Sequence, residues 1–218
     1  MKTVLILSGG LDSTTLLYDL IDQGKEVYPI SFDYGQKHSK ELECAKKICE
    51  KLGLDHKIVN LTSLASIIDN SSLTGDIDVP EGHYTEDVMK LTVVPNRNMI
   101  MLSIAVGYAI NIEASSVYYG AHAGDHDIYP DCRKEFVSAL SKATELCHYN
   151  PVYIFTPYID MDKGDIVRKG LELDVPYEDT WTCYKGKEKA CGKCGSCVER
   201  LEAFERNGIK DPIEYEVD

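Results

Sequence analysis

Short apolar runs and helical stripes alternate along the first third of the chain. Val4-Leu5-Ile6-Leu7 is a continuous apolar run, the pattern of a strand covered on both faces. Residues 3–7 are read as the first strand, and residues 12–23 as a helix that Gly24 ends. Val27–Phe32 is a second strand. Lys37–Leu52 puts Leu42, Ala45, Ile48 and Leu52 at helical spacing, with charges on the opposite face and Gly53 as the stop. His56–Leu61 is a third strand. Strand–helix–strand–helix–strand with short loops predicts an α/β fold with a parallel, doubly wound sheet and a site at the strand C-termini.

The pattern weakens from Thr62 to Pro95, a length of loop that in a compact domain usually serves function. Residues 97–114 are apolar almost all round and predict a buried helix. Ser115–Gly120 is a fourth strand, 121–132 a polar loop, and 133–147 a helix with Phe136, Ala139, Leu140 and Ala143 inward. Val152–Phe155 makes the fifth strand, and Asp162–Leu173 a short helix capped near Asp160–Asp162. After Pro176 comes a cysteine-bearing tail. The expected organisation is an α/β domain over 1–176 and a small cysteine-bearing segment over 177–218.

Composition changes this picture in two ways. The net charge of −13 over 218 residues argues against a general nucleic-acid surface and for a small-molecule substrate. The N-terminal pattern is too short for a signal peptide, and no apolar run is read as nearing the ~20 residues of a membrane span. The expected setting is the cytoplasm, with no membrane partner. Of eight cysteines, Cys44, Cys49, Cys132 and Cys147 are scattered, whereas Cys183, Cys191, Cys194 and Cys197 are spaced x7, x2 and x2. That cluster suits tetrahedral Zn²⁺, and with all four positions filled by sulfur the ion is structural. Gly192 and Gly195 free the backbone between the thiols, while Lys185, Lys187, Lys189 and Lys193 offset their charge. An iron–sulfur cluster of the bacterial ferredoxin type needs a further cysteine soon after Cys197, and none follows.

Ser8-Gly9-Gly10-Leu11-Asp12-Ser13-Thr14 lies between the first strand and first helix. Glycines admit a close anion, and helical N–H groups attract phosphate. No Gly-Lys-Ser/Thr closes it, so it is not a Walker A motif. It resembles the pyrophosphate loop of ATPases that cleave between the α- and β-phosphates. Arg97 is the one cation of its apolar helix, and guanidinium suits phosphate or carboxylate. The loop from Gly120 to Arg133 gathers His122, Asp125, His126, Asp127, Tyr129 and Asp131, a ligand-recognition composition. Lys163 opens the next helix.

Taken together, Ser8–Thr15, Tyr34-Gly35-Gln36-Lys37-His38, Val94–Asn98, Tyr129–Arg133 and Tyr177–Cys183 with the three later cysteines resemble the 7-cyano-7-deazaguanine (preQ0) synthase family. The departures are Lys37 for Arg, Asn96 for Gly, Thr182 for Ser, and Ile128 where glycine is frequent. The resemblance implies a five-stranded fold like the adenine nucleotide α hydrolases. It also implies ATP-dependent conversion of 7-carboxy-7-deazaguanine and ammonia to the nitrile, through adenylated carboxylate and amide. Ser8 to Thr14 would cradle ATP, with Asp12 on the Mg²⁺ side. Arg97 and Lys163 would neutralise charge beside Asp12 as catalytic groups. Asp125, Tyr129, Asp131 and Arg133 would meet the deazaguanine, and a homodimer is expected. The alternatives are a tRNA-modifying sulfur transferase, an ammonia-dependent amide ligase, and a nucleotide-binding regulator without chemistry. Pyrophosphate release with deazaguanine carboxylate, with RNA, or with ATP alone separates them.

Overall fold

The computed structural model describes residues 1–36, 40–64, 67–68, 70–75, 78–82, 89–126, 128–185 and 188–216. Lys37, His38, Asp127 and Lys187, named above, lie outside them. Five parallel strands form one sheet: β1 (Lys2–Ile6), β2 (Glu26–Asp33), β3 (Lys57–Asn60), β4 (Ser116–Tyr118) and β5 (Tyr153–Phe155), in the order β3-β2-β1-β4-β5. Val4 pairs with Tyr28 on one side and Val117 on the other. The chain therefore winds outward in both directions from β1, and the crevice between β1 and β4 is the topological switch point.

The apolar run of β1 serves two cores. Val4 packs with Ile30, Val117 and Ile154, against Leu102 and Ala105 of α3 (Arg97–Asn111) and Leu140 of α4 (Lys134–Glu145). Leu5 and Leu7 face the other way, toward Leu16 and Leu20 of α1 (Leu11–Asp22) and Ile48 of α2 (Lys40–Leu52). Ile166 of α5 (Lys163–Glu172) and Phe204 of α6 (Gly195–Arg206) close that second face. Side chains that alternate across a strand thus make Val4 to Leu7 apolar on both faces, while the buried Thr3 hydroxyl is paired with Ser116 of β4. Each fully buried leucine contributes about 1.5–3 kcal/mol relative to exposure.

Two sequence expectations change. Residues 90–111 hold an 18-residue window of mean hydropathy 1.2, apolar and long enough to pass for a membrane span. The statement that no such stretch exists is corrected. Leu102, Ala105, Val106 and Ala109 of this helix are buried in the sheet core, and that packing accounts for its apolar character. The tail also contains α6, which the cysteine spacing hid. Its buried stripe is Cys197, Arg200 and Phe204, with an arginine where the pattern calls for an apolar residue. Arg200 is fully buried: Nε and Nη2 donate to Asp211 at 2.7 and 3.0 Å, Nη1 to Thr180 and Thr182, and Nη2 also to the Tyr177 carbonyl. The expected boundary at residue 176 falls within shared packing, since Ala203 and Phe204 sit in the same core as Leu5.

Candidate active site

The loop after β1 is shaped by one close contact. Gly9 has φ +88°, and a Cβ there would lie 2.0 Å from the Glu41 carbonyl oxygen and 2.7 Å from the Ala45 nitrogen. Only glycine lets the loop press on α2. The Gly9 carbonyl accepts the Trp181 N–H at 3.1 Å, so the cysteine-bearing segment closes the same loop from the other side. Gly10, in extended conformation, caps α1. Ser8 Oγ accepts the Gly10 N–H at 3.1 Å and lies 2.9 Å from Ser13 Oγ. The two serines hold the turn around the N-terminus of α1, whose first N–H groups have no intrahelical acceptor. Leu11 points its side chain into the core, leaving its backbone to the site. Thr14 Oγ1 and Asp12 Oδ1 are buried without a hydrogen-bond partner among the described residues. Buried polar atoms are normally paired. Their condition marks a place built for another molecule.

Beside Asp12 stands Lys163, at the start of α5 and only 7% exposed. Its Nζ donates to Glu199 Oε2 at 2.7 Å and lies 3.4 Å from Asp12 Oδ2. Burial opposes the ammonium charge, but Asp12, Glu199 and Asp125 outweigh it and hold the Lys163 pKa above the ordinary lysine value. His122 Nδ1 accepts the Gly124 N–H at 3.1 Å, which leaves its proton on Nε2. That nitrogen faces Asp125 at 3.7 Å and Asp12 at 3.9 Å. Burial raises the Asp125 pKa, against the pull of His122 and Lys163.

A cleft of about 230 Å³ opens over these groups. Ser8, Asp12, Ser13, Arg97, Asp125 and Tyr129 of the sequence-predicted set line it, together with the aromatic rings of Phe32, Tyr34, Tyr119 and Tyr184. Arg97 donates to Tyr34 Oη at 3.3 Å and stacks near that ring. Tyr129 Oη is 2.7 Å from Thr92 Oγ1. Asp131 is occupied differently. Its Oδ2 accepts the Asn98 N–H at 3.1 Å, in the first turn of α3. Arg133 is exposed, and its Nε donates to the His126 carbonyl at 2.7 Å, outside the cleft lining. Asn96, where the resemblance led one to expect glycine, has φ 58°. Asparagine is among the few residues that adopt this left-handed geometry readily.

Sequence reasoning missed Glu41 and Glu199. Glu41 lines the cleft from α2, and burial, partly opposed by Arg97 and reinforced by Asp12, pushes its pKa up to about 8. Its signal was faint: a glutamate in a charged helical face. Glu199 lies two residues beyond Cys197, on a helix that was not read at all.

The four cysteines are buried, and their sulfurs lie within 4.8 Å of one another. Cys191 Sγ and Cys197 Sγ are 3.9 Å apart, close to the ~3.8 Å edge of a tetrahedron with 2.3 Å zinc–sulfur bonds. Backbone N–H groups of Cys191, Lys193 and Cys194 donate to sulfur at 3.3–3.4 Å, which favours thiolates. The donor set fits a structural metal such as zinc. The segment that was read as a long loop contributes a wall: Glu81 bridges Cys194, and the Gly82 N–H meets the Lys193 carbonyl at 2.8 Å.

A parallel sheet with a glycine loop, a helix N-terminus and a buried lysine at its switch point defines an ATP-binding α/β enzyme. The chain belongs to the 7-cyano-7-deazaguanine synthase family, whose model, described as Queuosine biosynthesis protein QueC, matches residues 2–208. It is 62% identical to the 7-cyano-7-deazaguanine synthase of Methanoregula boonei, covering 99% of this chain and 100% of that one. Identity to the enzyme of the same name from Hahella chejuensis is 59%, over 99% and 93%. Among solved structures, NMN synthetase from Francisella tularensis superposes with TM-score 0.56 at 15% identity, covering 95% of this chain and 77% of that chain. A 4-thiouridine synthetase bound to RNA and ATP gives 0.52 at 22% identity, over 92% and 49%. These two likenesses concern the fold.

Proposed function

We propose that this chain is a carbon–nitrogen ligase that converts 7-carboxy-7-deazaguanine and ammonia to 7-cyano-7-deazaguanine, splitting ATP to AMP and pyrophosphate. The observation that carries this reading is the loop Ser8–Thr14 at the β1/β4 switch point, with Asp12 Oδ1 and Thr14 Oγ1 buried and unpartnered beside a cleft holding Arg97. A carboxylate does not react with ammonia because oxide is a poor leaving group. Attack of its oxygen on the α-phosphorus expels pyrophosphate and leaves AMP as the leaving group. Ammonia then forms the C–N bond as the C–O bond to AMP breaks, giving the amide. A second adenylation, on the amide oxygen, expels pyrophosphate and, with loss of one nitrogen proton, gives the imidoyl adenylate; elimination of AMP with the remaining nitrogen proton gives the nitrile.

Ser8, Gly9, Gly10, Ser13 and the N-terminus of α1 would cradle the β- and γ-phosphates through N–H and hydroxyl groups. Asp12, through its unpaired oxygen, would hold Mg²⁺, which supplies charge neutralisation at the phosphates. Lys163 and Arg97 would meet charge developing at the α-phosphoryl group. The aromatic walls suit flat heterocycles, and the Asp125 carboxylate supplies the acceptor that a guanine-like N1–H and amino group need. Asp131 serves the same site indirectly, by fixing the helix turn that carries Arg97. The four cysteines would hold Zn²⁺ as a structural ion. Free ammonia as nitrogen donor, a homodimer and independence from nucleic acid complete the proposal. The −13 net charge supports the last.

The test is pyrophosphate release with product mass spectrometry, using ATP with 7-carboxy-7-deazaguanine and ammonium, ATP with RNA, or ATP alone. Nitrile and AMP in the first reaction only are expected. ADP as product, or turnover only with RNA, would overturn the assignment.

A further inference from the structure

Lys163 is in an unfavourable place for a cation. It is the first residue of α5, where the helix dipole presents its positive end, and it is almost fully buried. Two carboxylates contact it, and they come from different elements. Asp12 belongs to the phosphate loop, at 3.4 Å, and lines the cleft. Glu199 makes the shorter contact, 2.7 Å, from α6; of the three groups only Asp12 lines the cleft, with Lys163 behind it and Glu199 on the lysine. The helix α6 is capped by Cys194 and carries Cys197 in its first turn. Room for Glu199 is provided by Gly124, where a Cβ would lie 2.8 Å from Glu199 Oε1.

We propose that Glu199 is a positioning residue that fixes the Lys163 ammonium beside Asp12, so that the four-cysteine centre sets the geometry of the ATP site through one side chain. When ATP enters, Asp12 acquires new partners and the triphosphate competes for the lysine. Glu199, outside the cleft, keeps its hold throughout. Its position is set by α6, whose N-terminal turn is set in turn by two of the cysteine sulfurs. Arg200, the next residue, anchors the helix from its other side by the bonds to Asp211 and the Tyr177 carbonyl. The lysine is thereby delivered to the reacting phosphate at one place, without the rotamer search that a free lysine would need. The proposal rests on the reading of the cleft as an ATP site.

The experiment is a double-mutant cycle in the full-length, metal-loaded enzyme. Glu199→Gln keeps the shape and an oxygen acceptor but removes the charge. It is expected to lower kcat for pyrophosphate release 10- to 100-fold, to change KM for ATP less than threefold, and to leave one metal per chain. In a Lys163→Met background the same change is expected to alter the residual rate less than twofold, since interacting residues are not additive. Glu199→Asp, which keeps the charge but draws the carboxylate back by one methylene, should give a smaller kcat-specific loss that also vanishes in the Lys163→Met background. It serves as the second variant if Glu199→Gln does not fold. An unchanged kcat, a loss that multiplies independently of Lys163, or a loss that tracks released metal overturns the proposal. Should the wild type fail to release pyrophosphate, the proposed reaction falls. The melting temperatures of the same four proteins then decide the pairing, and additive shifts would overturn it.

Discussion

The cysteine centre and the cleft lie on two sides of one segment, and they differ in what folding has completed. At the cysteines, the ligand atoms are already gathered and buried, and backbone N–H groups already point at sulfur. Beside the cleft, Asp12 Oδ1 and Thr14 Oγ1 have no partner among the described residues, and the buried Lys163 stands between two carboxylates. The first is an arrangement that an ion completes, after which nothing more can enter. The second is held in a condition that only a transient ligand relieves. Stability should therefore be concentrated at the first, and activity at the second.

The largest effect is expected on breaking the completed side. Cys194→Ala should release the metal and leave little folded protein at 37 °C, because binding energy at such a site is folding energy. Elemental analysis of the colourless wild type should give about one zinc per chain. A brown protein would mean an iron–sulfur centre. On the other side, Asp12→Asn should cut pyrophosphate release by roughly 10²–10³-fold, while the melting temperature moves by no more than a few degrees, because Oδ1 is unpaired in the fold and Glu199 keeps its 2.7 Å contact to Lys163 when the Asp12 charge is lost.

Asp131→Asn sharpens the contrast within the cleft itself. The lost charge is one that caps α3 through the Asn98 N–H, so about 0.5–1 kcal/mol of stability should go. Affinities for ATP and the deazaguanine, measured by titration calorimetry, should each shift less than fivefold. A tenfold loss for the deazaguanine alone would place Asp131 on the substrate. The smallest effect concerns Glu41. Burial raises its pKa from 4.5 to about 8, so between those values the folded state binds more protons than the unfolded chain. Stability must then fall as pH rises through that window. Glu41→Gln should remove this slope, melting level with wild type near pH 4.5 and progressively above it as pH rises to 8.5.

Much of the architecture was legible because each signal was local. The β1 run, the α2 stripe and the alternation of strands with helices imply a five-stranded parallel sheet, and the order around β1 follows from two outward windings. Asp162 was readable as a cap because its partner Asp165 is three residues away, in a reciprocal capping box. What escaped depends on partners far along the chain. Arg200 breaks the apolar stripe of α6 and makes sense only with Asp211 and Tyr177. Glu199 is one acidic residue among many until Lys163 is brought to it. Asp131 looked like a ligand group because no sequence pattern announces that its carboxylate lies at the start of α3, 33 residues upstream. Local periodicity reports a face; it does not report what lies opposite.

Gly9 has a consequence for the order in which the molecule is made. Its loop leaves the ribosome well before Trp181, yet its carbonyl waits for the N–H of Trp181, and the segment around Trp181 waits for Arg200 and Asp211. During synthesis the nascent chain can form β1, α1, β2 and α2 long before the phosphate turn has its second wall. A ribosome-bound chain stalled before residue 181 should therefore bind ATP poorly even with every loop residue translated. The two walls of the turn are made far apart in time.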